Sequence, residues 1–228
     1  MKNIPTLTLR LLDVHIPADA DTKSLLLNGA KDLARHHQKK FQKKNLSIDL
    51  FHNNKIQYSG IQLGRYQGCP EWTAIGKQEV KALKLWFKIF KTENAHLLQN
   101  VVIIKERYTP DFLPYQKRYK ISPLLVSDKL AKNLNELEDK YARFDHLEKY
   151  LYGNIKNFMQ HVGYNHDPNQ HFLKVTMMDC LPFDRALPVY HQQKKTAFRV
   201  RFKCNFRLPQ IVRLGQSTAL GYGKTLPM

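Results

Sequence analysis

Three observations predict an α+β protein made of two like-built halves. Apolar residues alternate with period two in some stretches and recur every three or four residues in others, marking strands and helices. These stretches follow one another as strand, helix, strand, strand, helix, strand, after which a similar order begins again. With 228 residues, 43% of them hydrophobic and 11% aromatic, the chain has enough apolar surface for a packed core. The repeated order is the split βαβ plan, so the expectation is tandem ferredoxin-like (RRM-like) domains with antiparallel sheets, over residues 1–112 and 113–228. The repetition is one of plan and not of sequence, and the boundary is placed among residues Pro110 to Pro114.

The first half opens with PTLTLRLLDV, residues 5–14, as a strand. ADADT then offers Asp21 or Thr22 as the cap of a helix. Leu26, Ala30, Leu33, His37 and Phe41 recur at spacings of four, three, four and four, which predicts one apolar face. Lys31, Arg35, Lys39, Lys40, Lys43 and Lys44 occupy the other side. Past a loop around FHNNK, IQYSGIQLGRYQGCPEWTAIG reads as two strands of a glycine-punctuated hairpin. A second helix is expected from Lys77 to Lys91 with Val80, Leu83, Phe87 and Phe90 inward, and NVVIIKERYTP closes the half as a strand.

The second half begins with KRYKISPLLV as a strand. Ser127 or Asp128 caps a long helix whose stripe is Leu130, Leu134, Leu137, Tyr141, Phe144, Leu147 and Leu151, with Gly153 as the place to bend or divide it. HFLKVTMMDCLPF and TAFRVRFKCNFRLP read as strands. A compact QIVRLGQST stands where a second helix is due, and a glycine-rich segment leads into the last strand.

Charge narrows the function. Lys and Arg number 37 against 19 Asp and Glu, a net charge of +18, which calls for a polyanionic partner. Nucleic acid leads. An anionic membrane surface is the alternative, yet no stretch approaches the ~20 apolar residues of a spanning helix. Arg10 and Asp13 interrupt the N-terminal apolar run, so it does not read as a signal peptide and a cytoplasmic protein is expected. Cys69, Cys180 and Cys204 are far apart and odd in number, which supports neither a disulfide framework nor a zinc knuckle.

The segment RLGQSTALGYGKT raises the possibility of a phosphate cradle. It is not a nucleotide P-loop, because Thr218 stands where the first glycine is required and too few residues follow Thr225 for a helix. A backbone nest built on Gly215, Gly221 and Gly223 could still grip an anion; equally, these glycines could serve only a tight turn. In TAFRVRFKCNFR, Phe198, Val200, Phe202, Cys204 and Phe206 alternate with Arg199, Arg201, Lys203, Asn205 and Arg207. A strand sends these two sets to opposite faces, one core and one cationic, and the latter suits a phosphate backbone. HVGYNHDPNQH offers His161, His166, Asp167 and His171, but at spacings matching no tight zinc pattern, so no metal and no cofactor is expected.

FRLPQIVRLGQSTALGYGKT resembles the signature end of the CRISPR-associated Cas-six endoribonucleases. LFHNN with YSGIQLGRYQGCPEWTAIGKQEVKALKLWF is similar to the central block of a divergent subset of that family. The resemblance implies binding of CRISPR repeat RNA and its metal-independent cleavage in the precursor transcript, giving 2′,3′-cyclic phosphate and 5′-hydroxyl ends. Such chemistry needs a base, an acid and cations for the phosphorane charge, and histidine, with an ordinary pKa near ~6.5, suits the first two. The resemblance points to His52 with Lys55 as the catalytic pair, with His37, beside His36, as runner-up. Read from residues alone, His37 on the apolar stripe is first of all a core histidine, and His52 is equally a loop residue without a role. The loop would hold the RNA through Gly215, Gln216, Ser217, Gly221, Gly223 and Lys224, supported by Arg199, Arg201 and Lys203. Gln216 and Ser217 follow Gly215 directly, where many members carry a Gly-x-Gly pair. A CRISPR effector complex is a further partner within this expectation, the protein itself being a monomer or homodimer. The alternative is a non-catalytic RNA-binding subunit of a ribonucleoprotein.

Overall fold

The computed structural model describes residues 3–17, 20–51, 58–95, 98–164, 171–183, 196–220 and 222–228. They form two compact units, one built on Asn3–Tyr108 and the other on Thr109–Thr218 and Tyr222–Met228.

The first unit runs β1 (Ile4–Leu11), α1 (Ala20–His36), α2 (Gln38–Gln42), β2 (Ile61–Tyr66), β3 (Cys69–Ile75), α3 (Lys77–Glu93) and β4 (Val101–Tyr108). Its strands pair antiparallel in the order β2-β3-β1-β4. The alternation in β1 buries Leu7, Leu9 and Leu11, and the register sets Leu9 beside Trp72, itself beside Leu63. Trp72 packs on Trp86 of α3 at 4.9 Å between ring centroids. Gln67 and Gly68, with φ of 49° and 92°, supply the two left-handed positions of the β2–β3 hairpin turn. At the end of β1, the Asp13 carboxylate accepts the Gln99 and Asn100 backbone N–H groups just ahead of β4.

Several local expectations for this unit are corrected. Because α1 starts at Ala20, Asp21 and Thr22 lie inside it and not at the residue before its first turn. Its buried side is Leu27, Ala30 and Ala34, with Leu26 and Leu33 half-buried, and Phe41 is buried from α2 instead. In α3 the inward residues are Val80, Leu83, Trp86 and Ile89, while Phe87 and Phe90 are half-buried. Both helices carry neighbouring apolar residues that define two rival stripes. Packing of the large Trp86 against Trp72 decides between those of α3.

The second unit runs β5 (Phe112–Leu125), α4 (Asp128–Glu136), α5 (Lys140–His161), β6 (Val175–Pro182), β7 (Ala197–Phe206), β8 (Val212–Arg213) and β9 (Lys224–Pro227). Its antiparallel sheet has the order β6-β7-β5-β9-β8, which without β8 repeats the arrangement of the first unit. The tandem ferredoxin-like plan is therefore present strand by strand. The expected long helix is two helices. Ser127 Oγ caps α4 by accepting the Leu130 N–H, and the Asp139 carboxylate starts α5 by accepting the Tyr141 and Ala142 N–H groups at 3.2 and 2.8 Å. Gly153 neither bends nor divides the chain; it lies within α5, which buries Leu147, Leu151, Ile155 and Phe158. Among the described residues no helix is long and apolar enough to cross a membrane.

Candidate nucleic-acid interface

The chain returns from β7 to β9 without an α-helix, through β8 and one tight turn at Thr218–Leu220. Backbone hydrogen bonds hold this segment. The Gly215 N–H donates to Asn154 Oδ1 at 3.0 Å. The Gln216 N–H donates to Leu125 O at 3.1 Å and the Gly223 N–H to Pro123 O at 2.9 Å. Leu125 O also accepts the Tyr150 hydroxyl at 3.1 Å, so Tyr150 and Asn154, one turn apart on α5, brace the loop together. Burial pushes the Tyr150 phenol up to about 12, so it remains a donor at any physiological pH. Gly215 and Gly223 have φ of 103° and 74°. A Cβ on Gly223 would coincide with the Leu214 carbonyl, and one on Gly215 would lie 2.7 Å from Leu124 Cδ1.

At Gly215 and Gly223 these bonds favour the tight turn over the anion nest, the two readings the sequence left open. The Gly215, Gln216 and Gly223 amides are spent on the protein's own oxygens, so Gly215 and Gly223 shape the loop by close backbone approach. Gly221 lies outside the described residues. Gln216 is exposed, while Ser217 and Lys224 are half-buried.

On β7 the alternation is realised. Phe198, Val200, Phe202, Cys204 and Phe206 are buried, Arg199, Arg201 and Arg207 are exposed, and Lys203 and Asn205 are half-buried. The register with β5 sets Lys120 opposite Arg201 and Arg118 opposite Lys203, turning a row of cations into a two-strand patch. The patch also holds an acid. Arg201 donates to Asp179 of β6 at 2.6 Å, and this bond holds the Asp179 carboxyl below its ordinary range. Asn205 is structural, accepting the Lys174 N–H and donating to Phe172 O. Burial pushes the Cys204 thiol up to about 12 and the Cys180 thiol up to about 11, marking both as packing residues.

In the first unit, His37 stands between α1 and α2, and its Nε2–H donates to Glu93 Oε1 at 2.5 Å. Its side chain is 18% exposed, so it is not an enclosed core histidine. The ring of His36 lies edge-on to it at 5.1 Å between centroids. Glu93 lines a groove of about 340 Å³ together with Lys40, Lys43 and Lys44 on one side and Lys88 of α3 on the other. His52 and Lys55 lie outside the described residues, as do His166 and Asp167. His171 stacks on Phe112 at 5.0 Å, and among the described residues no group of three His, Cys, Asp or Glu side chains is placed to hold a metal.

The family model of the Cas6b C-terminal domain matches residues 114–228, half of the chain. The chain belongs to the Cas6b family. Solved structures agree with that membership in fold. A Cas6b crystal structure matches with a TM-score of 0.68 at 17% identity, covering 100% of both chains. The crystal structure of a CRISPR RNA processing endoribonuclease Cas6b gives 0.69 at 19% identity, again over 100% of both. Csf5, a type IV Cas6 crRNA endonuclease, gives 0.59 at 12% identity over 100% of both. Comparison with curated proteins by sequence finds no match.

Sequence reasoning located the β7 cations of this Cas6b-family chain but missed Arg118 and Lys120. The pairing of β5 with β7 shifts register after Phe112 and again after Ile121, so β5 shows no clean alternation to read. The run KRYK, Lys117 to Lys120, was the available signal. The lysine groove beside Glu93 was also missed, because it joins residues from two helices distant in sequence.

Proposed function

We propose that this Cas6b-family endoribonuclease cuts the repeat RNA of a CRISPR precursor transcript by attack of the ribose 2′-oxygen on the adjacent phosphate. The 2′-hydroxyl gives its proton to a base, the new P–O2′ bond forms, the P–O5′ bond breaks, and the leaving oxygen takes a proton from an acid. The products are a 2′,3′-cyclic phosphate and a 5′-hydroxyl, with no change of oxidation state. Side chains suffice for the base, the acid and the charge stabilisation, so the step is drawn without a metal.

One observation carries the catalytic reading: the His37–Glu93 pair at the rim of a lysine-lined groove. Donation from Nε2–H to the carboxylate fixes the tautomer and leaves the Nδ1 lone pair free to take a proton. His52 and Lys55 complete the proposal, His52 as acid at the leaving oxygen and Lys55 as cation for the phosphorane. Arg118, Lys120, Arg199, Arg201 and Lys203 hold the phosphate backbone, with the Gln216, Ser217 and Lys224 side chains beside them. A cytoplasmic location, transfer of the product to an effector complex and action as a monomer or homodimer belong to the same proposal.

The test is a repeat RNA with a 2′-deoxy nucleotide just upstream of the cut, assayed in EDTA beside the all-ribose substrate. The ribose substrate is expected to be cut and the deoxy one to survive. His37→Ala should lower the rate by about 10²–10⁴ with binding retained. Cleavage of the deoxy substrate, or complete inhibition by EDTA, overturns the mechanism. Undiminished cleavage by His37→Ala with loss at His52→Ala moves the base to His52. Tight binding without any cleavage by the wild type favours the RNA-binding subunit.

A further inference from the structure

Helix α3 carries Lys77, Lys81, Lys84, Lys88 and Lys91 at spacings of four, three, four and three, which puts all five on one face. The helix buries Val80, Leu83, Trp86 and Ile89, and all five lysines are exposed. No Asp or Glu stands three or four residues from any of them, so none has the usual helical ion-pair partner. In the second unit the helices do pair their lysines this way, Lys132 with Glu136 and Lys149 with Asp145. The α3 arrangement works against the helix itself. Successive lysines repel, and Lys77 and Lys81 sit towards the end where the helix dipole disfavours cations. A surface of this kind is stabilised by an external polyanion.

Concavity is supplied next to the stripe. Lys88 belongs both to it and to the groove whose opposite wall is Lys40, Lys43 and Lys44. From Lys77 to Lys91 the helix rises about 21 Å, the length of about six nucleotides of a stacked strand. Lysine is a point charge without the planar fork that reads a base or a bidentate partner, so such a row follows a backbone of any sequence. Lysine is depleted at the centre of protein–protein interfaces, which favours RNA over an acidic protein as the occupant. We propose that the α3 stripe is a second track, binding by its phosphates the single-stranded RNA that flanks the repeat. The inference rests on the RNA-cleaving reading for its substrate class and extends it to a surface remote in sequence from the glycine loop.

The test is K77Q/K81Q/K84Q/K91Q, which keeps good helix formers at each position and leaves His37, Glu93 and Lys88 in place. Circular dichroism establishes that the variant is folded. Binding is measured by salt titration for the bare repeat RNA and for the same RNA carrying a single-stranded flank. The wild type should bind the flanked RNA more tightly, with a log–log salt slope steeper by about 0.7 per added phosphate contact. The variant should lose that increment, about tenfold in affinity at low salt, with binding and cleavage of the bare repeat unchanged. Equal wild-type affinity for both RNAs overturns the proposal, as does an equal loss on both in the variant. Unchanged binding of both RNAs with lost retention on polyglutamate assigns the surface to an acidic protein and also overturns it. A wild type that cuts nothing yet shows the flank increment removes the catalytic reading and leaves the track standing.

Discussion

The two units share a strand order but close it in different ways. Between β3 and β4 the first unit runs through α3, which packs with side chains: Val80, Leu83, Trp86 and Ile89. Between β7 and β9 the second unit has no such helix and packs with backbone, through the N–H groups of Leu214, Gly215, Gln216 and Gly223. The difference teaches where each is fragile. A helix spends its backbone bonds internally and keeps an outer face free for solvent or ligand. The glycine loop spends its Gly215, Gln216 and Gly223 amides on the domain, and Gly215 and Gly223 tolerate almost no added atom.

The largest expected effect tests that fragility. Gly223→Ala places a Cβ on the Leu214 carbonyl at a φ of 74°, so β8 and β9 must separate; thermal unfolding should register a loss of about 4 kcal/mol or more. Gly153→Ala in α5, where nothing lies within 4 Å of the new atom, should instead stabilise by about 0.5–1 kcal/mol. Similar melting shifts for the two would break the contrast between loop and helix.

On the other side of the comparison, Trp86→Ala removes the aromatic centre of the α3 packing and should cost about 3–5 kcal/mol in denaturant unfolding. Asn154→Ala should cost less, about 1–3 kcal/mol, because it strands the Gly215 N–H. That variant should also loosen the loop, read as faster amide exchange at Gly215, whereas Trp86→Ala should leave that amide protected. The smallest effect belongs to the cationic sheet. Asp179→Asn frees Arg201 and should tighten RNA binding by at most about fivefold, the scale of an exposed ion pair. Because Arg201 holds the Asp179 carboxyl below its ordinary range, the pair is intact above the ordinary carboxylate pKa and is lost only as pH falls through the lowered value. The gain should therefore be the same at pH 6 and pH 8, and a gain that changes between them would show another group to be responsible.

Much of the fold was legible because its signals are local. The alternation of β7, the turn at Gln67–Gly68 and the missing helix before β9 each lie within a dozen residues of chain. What escaped depends on residues distant in sequence. The choice of Trp86 over Phe87 depends on Trp72 in another element. The carboxylate that orients His37 is 56 residues away in Glu93, and the oxygen that receives the Gly215 amide is 61 away in Asn154. The break at Asp139 was readable in principle, since a carboxylate two and three residues ahead of the N–H groups it accepts is a common helix start, but the apolar stripe continued through it and masked it.

The central claim is that side-chain cations on β5 and β7, and not glycine amides, grip the RNA backbone. The most direct measurement is repeat-RNA affinity as a function of salt for R118Q/K120Q/R199Q/K203Q, with a melting curve as control. The expected result is unchanged melting and affinity lower by about 10² or more, with a salt slope reduced by about 0.7 for each phosphate contact removed. A folded variant that keeps both the affinity and the slope of the wild type would contradict the claim.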